Sequence, residues 1–185
     1  MIQKSNTPKL SVPPSFKDRC VIRCTDYKFG PNSNDNPMIT VNWELLGIPN
    51  STGSIDTTMK RAGQEYQLAG LRLKTTYFTL TQKAVDAFFA EFWMKANSEK
   101  EFPGIDESNP DLKFLDGLCM EAIVQGSTVV ERKQLTEEEK EEKIAKGEPA
   151  VGDPITDSDG EEITRTMLTQ TMWLKKYEGE VPTPF

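Results

Sequence analysis

Apolar and polar positions alternate from Phe16 to Phe29. Cys20, Ile22 and Cys24 fall on one side of this stretch, and Arg19, Val21, Arg23, Thr25 and Tyr27 on the other. A period of two predicts a half-buried strand with one basic, aromatic face. Gly30 to Pro37 is a turn cluster holding three asparagines. The alternation resumes from Met38 to Leu46, with Ile39, Val41, Trp43 and Leu45 set against Thr40, Asn42 and Glu44. After the break at Gly47 to Gly53, the stretch Ile55 to Leu80 is rich in Thr, Tyr and Leu. Gly63 and Gly70 interrupt it, and Gly70 is a natural place for a bend between two strand pieces.

The period then changes. Val85, Phe88, Phe89, Phe92 and Ala96 recur at helical spacing, predicting one helix from about Gln82 to Asn97 with Thr81 as its N-cap. Its apolar stripe suits the plugging or covering of a sheet. Ser98 to Gly117 reads as loop, with a helical turn near Asp111 to Leu115. Leu118 to Val130 and Thr164 to Tyr177 alternate as strands again. Between them lies a charged insert, residues 133–162. Thr136 and Glu139 form a capping box there, Glu139–Lys143 and Glu142–Lys146 are spaced to support a helix, and Gly147 and Pro149 stop it. Ile144 is the only large apolar residue of that helix, which therefore projects into solvent or meets a partner.

The expected fold is mainly β with one covering helix, an α+β arrangement. Five or so short strands interrupted by a single helix match a five-stranded barrel of the OB type carrying a charged helical insert, although the strand count also allows other α+β sheets. Residues 1–15, with Pro8, Pro13 and Pro14, read as a flexible arm; 16–177 as the barrel domain; 178–185 as a tail.

Composition narrows the chemistry. The 185 residues include no histidine, which removes Ser-His-Asp and Cys-His nucleophiles and any histidine metal site. No phosphate-binding Gly-rich loop and no C-x-x-C occurs. The acidic run Asp157 to Glu162 lacks calcium-loop spacing, because with Gly160 in sixth place Ile155 and Thr166 fall where ligands are required. Cys20 and Cys24 stand about 13 Å apart along one strand, beyond disulfide reach, and read as buried reduced thiols. The sequence thus points to a protein that is not an enzyme, with no cofactor and no metal. It lacks an apolar run of membrane-spanning length and an apolar leader at its start, which leads to the expectation of a cytoplasmic protein that does not engage a membrane.

Charge is unevenly placed. The net charge is −7, but residues 1–80 carry +4, residues 81–120 carry −4 and residues 121–185 carry −7. A basic front half joined to an acidic back third hints at a nucleic-acid surface plus an acidic tail. Binding a single strand without sequence preference needs cations along the phosphates and rings on which bases stack. The front half supplies both: Lys17, Arg19, Arg23, Tyr27, Lys28 and Phe29 in the first strand, then Lys60, Arg61 and Tyr66, then Arg72, Lys74 and Tyr77. Arg23 and Tyr27 are expected on one strand face, and Arg72 and Lys74 together opposite Leu71 and Leu73.

The chain closes Tyr177-Glu178-Gly179-Glu180-Val181-Pro182-Thr183-Pro184-Phe185. A terminal carboxylate beside a phenyl ring offers an anion for a basic rim and an aromatic for a pocket. An acidic tail closing in Pro-Phe is similar to the tip of bacterial single-stranded DNA-binding proteins, and small phage versions also close an acidic tail with an aromatic residue. The body resembles phage single-stranded DNA-binding proteins at the level of pattern. The resemblance spans residues 16–130 and is carried by the strand–Asn36-Pro37-Met38–strand run and by Asp111 to Gly117 leading into Cys119 to Val124. It implies an OB-fold that coats exposed strands during phage replication, recombination or repair in the host cytoplasm. It also implies a tail, here Glu178, Glu180, Pro184 and Phe185, that recruits replication or recombination proteins. The tip carries fewer acids than is usual for the family. The alternative is a phage structural or protein-interaction protein, either a virion component or an acidic inhibitor of a host DNA-binding enzyme.

Overall fold

The structure, a computed structural model, describes residues 8–182. The described residues divide into two compact units, 8–126 with 168–182, and 127–167.

The first unit is built on an antiparallel sheet. β1 (Lys17–Pro31) pairs with β2 (Pro37–Pro49) on one side and with β7 (Cys119–Val130) on the other. β3 (Ile55–Asp56) and β6 (Thr76–Thr79) both pair with β2, and β8 (Thr164–Lys176) follows β7. β4 (Thr58–Arg61) and β5 (Gln64–Gln67) form a separate hairpin. The chain is therefore mainly β with one covering helix, as its periodicities require. Residues 70–74 run on from β2 toward β8. Gly70 N–H donates to Leu45 O at 2.9 Å and Leu73 N–H to Trp43 O at 3.1 Å, while Lys74 N–H donates to Leu168 O at 2.7 Å. Leu73 and Leu168 face each other in a parallel bridge. The ring expected of a small barrel is thus traced by backbone contacts, but its regular ladder stays open at this single bridge. Gly70, at φ +92°, makes the bend its sequence position suggested.

The helix fills the middle. It comprises α1 (Gln82–Ala84), a π turn (Val85–Phe89) and α2 (Ala90–Ala96), and Thr81 Oγ1 caps it by accepting from Ala84 N–H. The wider π turn corrects the expected stripe. Val85, Phe89, Phe92 and Ala96 are buried, but Phe88 is rotated out and is 67% exposed. Phe92 stacks on Phe78 at 4.8 Å between ring centroids and lies 4.7 Å from Trp173; Trp43 and Trp173 are 5.2 Å apart. These rings join Ile22, Ile39, Leu45, Leu115 and Met120 in the main core.

The three cysteines are buried free thiols. Burial pushes Cys20 and Cys24 up to about 12, so both stay protonated at neutral pH. On the opposite side of the sheet a small cluster of Val21, Leu46 and Cys119 is closed by Tyr177. The Tyr177 hydroxyl donates to Gly53 O at 3.0 Å or Glu180 O at 3.2 Å, which ties residues after β8 down beside the sheet. Residues 8–15 depart from the expected free arm. Lys9 pairs beside Tyr66, and Pro13 is buried.

The second unit, residues 127–167, is wider than the expected insert. It holds α3 (Glu137–Ala145) with both halves of the capping box formed. Its ion pairs are Lys140–Glu137 and Lys146–Glu142; Lys143 reaches Val151 O instead of the expected Glu139. This unit carries six Lys or Arg against twelve Asp or Glu. No helix among the described residues is long and apolar enough to cross a membrane.

Candidate nucleic-acid interface

Strand register decides which of the expected residues meet. Along β1 the pairs Ile22–Leu45 and Cys24–Trp43 give way to Asp26–Asn42, so Thr25 is an extra residue in a β-bulge. The bulge reverses the alternation. Tyr27 and Phe29 lie opposite the buried Val41 and Ile39, whereas Arg23, Asp26 and Lys28 lie on the other face. Arg23 and Tyr27 therefore do not share a face, contrary to expectation.

The outer face of β2 is the centre of what does assemble. Glu44 stands between Arg23 and Arg72, Asn42 between Asp26 and Thr75, and Thr40 between Lys28 and Tyr77. Arg72 and Lys74 are both exposed beside the inward Leu73, as the alternation predicts. Tyr77 is 59% exposed. A groove of about 550 Å³ runs over this face, lined by Asp26, Lys28, Thr40, Asn42, Thr75 and Tyr77 among others. Polar side chains hold its floor. Asn42 Nδ2 donates to Asp26 at 3.0 Å, and Thr75 Oγ1 donates to Asn42 Oδ1 at 2.7 Å.

A second groove of about 550 Å³ opens on the other side of the strand end, between Tyr27, Lys28 and Phe29 and the loop Asn109 to Lys113. Lys28 lines both grooves. The Tyr27 hydroxyl donates to Asp116 Oδ1 at 2.6 Å, and that hydrogen bond raises its pKa and fixes the ring. Phe29 is 39% exposed beside it. Lys113 joins the set without having been singled out, since one lysine in a loop carries no periodic signal.

Other expected residues lie elsewhere. Arg19 is paired with Glu121 and Arg23 with Glu44, so neither guanidinium is free. Tyr66 is 8% exposed, which denies its ring to a stacking base. Lys60 and Arg61 belong to the β4–β5 hairpin, where Arg61 donates to Pro14 O at 2.6 Å. Lys17 is exposed at the start of β1 and lines neither groove. Lys28, Arg72, Lys74 and Lys113 form no ion pair among the described residues.

In the tail, Glu178 accepts from Ser98 Oγ at 3.5 Å, and Glu180 contributes its carbonyl to the Tyr177 hydroxyl. Pro184 and Phe185 lie outside the described residues. Among the described residues no group of three metal-ligating side chains converges. No family model, no curated protein and no solved structure matches this chain.

Proposed function

We propose that this chain is a single-stranded DNA-binding protein that holds its ligand without reading sequence and without catalysis. The phage-type resemblance extends the proposal to coating of exposed strands in replication, recombination or repair, with the tail recruiting partner proteins. The observation that carries the reading is the outer face of β2, where Lys28 and the exposed ring of Tyr77 line one groove and Arg72 and Lys74 stand exposed, in no ion pair among the described residues, in the segment that leads to Tyr77. Cations beside a ring are the two groups a single strand requires, and the adjoining groove with Tyr27, Phe29 and Lys113 extends the path.

The test is binding of a fluorescent 30-residue oligo-dT. With four phosphates engaged, raising salt from 50 to 200 mM is expected to weaken binding about fifty-fold, because counterions released on binding must be recovered. RNA and duplex of equal length serve as comparisons. No affinity at low salt would defeat the proposal.

Glu44 supplies a second prediction. Its carboxylate holds Arg23 and stands beside Arg72. Glu44→Gln removes one repelling charge and frees one guanidinium, so single-strand binding at low salt is expected to tighten about three- to tenfold. Unchanged or weaker binding in the same titration would place the strand elsewhere.

A second reading, a phage structural or protein-interaction protein, draws on the engagement of Arg19 and Arg23 with carboxylates and on the net charge of −7. It is the reading that survives if the oligonucleotide fails to bind.

A further inference from the structure

We infer that the surface around Phe102 to Ile105 is a docking site for a basic segment of another protein. Two cavities share these residues. One, of about 350 Å³, is walled by Phe89, Trp93, Phe102 and Phe114 and has Asp106, Asp111 and Lys113 on its lining. The other, of about 510 Å³, is walled by Leu80, Val85 and Ile105 and carries Asp86 and Glu107. Four carboxylates thus stand against one lysine, and none of the four is in an ion pair among the described residues. Asp106 accepts from Ser108 N–H at 2.9 Å and Asp111 from Lys113 N–H at 3.2 Å through Oδ1 alone. Asp86 likewise accepts from Gln82 Nε2 through Oδ1. The remaining oxygen of each is available to a donor.

Aromatic walls with a carboxylate rim fit a guanidinium or ammonium whose stem needs apolar cover, since the ring faces attract the cation and the carboxylates pair with it. The same carboxylates repel phosphate, so a nucleic acid is the wrong occupant. Two cavities joined along one four-residue segment suit a chain with successive side chains better than a single small cation. Charge complementarity therefore selects a polypeptide rich in arginine or lysine. The site adjoins the Phe29 groove and shares Asn109, Asp111 and Lys113 with it, while Phe102 to Ile105 and the other three carboxylates lie outside that groove.

The test uses the full chain and a synthetic peptide of eight alternating arginines and leucines, with a glutamate-for-arginine peptide as control. Binding is read by tryptophan emission, and the change is expected to vanish in Trp93→Phe. Asp106→Asn with Asp111→Asn keeps the side-chain oxygens that cap their turns but removes two charges, and is expected to weaken binding at least about tenfold. Glu141→Gln with Glu142→Gln, on α3, makes the same charge change and is expected to alter it less than about twofold. Three results overturn the inference: no binding by the wild-type chain, equal losses in the two double variants, or an equal change in tryptophan emission with the glutamate-for-arginine peptide.

Discussion

Phe92→Ala is expected to destabilise the fold by about 3–5 kcal/mol, the range for removing a fully buried phenyl ring. Phe92 is 0% exposed and touches rings from four separate parts of the chain: Phe78 of β6, Trp43 of β2, Trp173 of β8 and Phe114 of the loop before β7. Its loss removes contacts to all of them. The cavity left cannot collapse readily, because Trp43 is held by its Nε1–H donating to Thr76 Oγ1 at 3.1 Å and the other rings sit on different strands and loops. Phe88, one turn away and 67% exposed, is the control, with Phe88→Ala expected within about 0.5 kcal/mol of the wild type. Urea unfolding followed by tryptophan fluorescence and by circular dichroism checks both. A loss at Phe92 below about 1 kcal/mol, or a larger loss at Phe88, would mean that the helix presents another face to the sheet.

That pair of residues also marks where local sequence stops being informative. Burial of Val85, Phe89, Phe92 and Ala96 follows from helical spacing alone, but the phase of Phe88 depends on one wide turn that spacing does not reveal. The same limit appears in β1. The alternation of Cys20, Ile22 and Cys24 is plain, and all three are buried. One extra residue at Thr25 then carries Tyr27 to the inner face and Lys28 to the outer. A bulge is set by pairing with β2, so the strand read by itself continues the wrong period. Charge neutralisation is more remote still. Glu121 lies 102 positions from Arg19, and only the β1–β7 pairing brings them together. Tyr66 has the right chemistry for stacking, yet it is buried in the β4–β5 hairpin, where its backbone pairs with that of Lys9. The outer face of β2 was legible in part. Arg72 and Lys74 alternate with leucines, but the placing of Lys28 and Tyr77 on either side of Thr40, and of Arg72 beside Glu44, comes from tertiary pairing across β2.

Lys28→Glu combined with Lys74→Glu is expected to weaken oligo-dT binding about a hundredfold at 50 mM salt. Each lysine facing a phosphate accounts for about eightfold at that concentration through counterion release, and reversal adds repulsion where attraction stood. The slope of affinity against salt should flatten by at least about 1.4, the share of two contacts on a single strand. The location of the charges matters more than their number. Lys17→Glu with Lys60→Glu changes the net charge equally but acts away from both grooves and from residues 72–77 beside β2, so it is expected to cost less than about fivefold, a long-range effect screened by salt. Lys28 is the sharper of the first pair, because it lines both grooves and a strand crossing from Tyr77 toward Phe29 must pass it. Fluorescence anisotropy with the wild type and the two double variants at several salt concentrations separates the cases. Equal losses in the two double variants would mean that the chain answers only to total charge, and the groove over β2 would then have no claim to be the path of the strand.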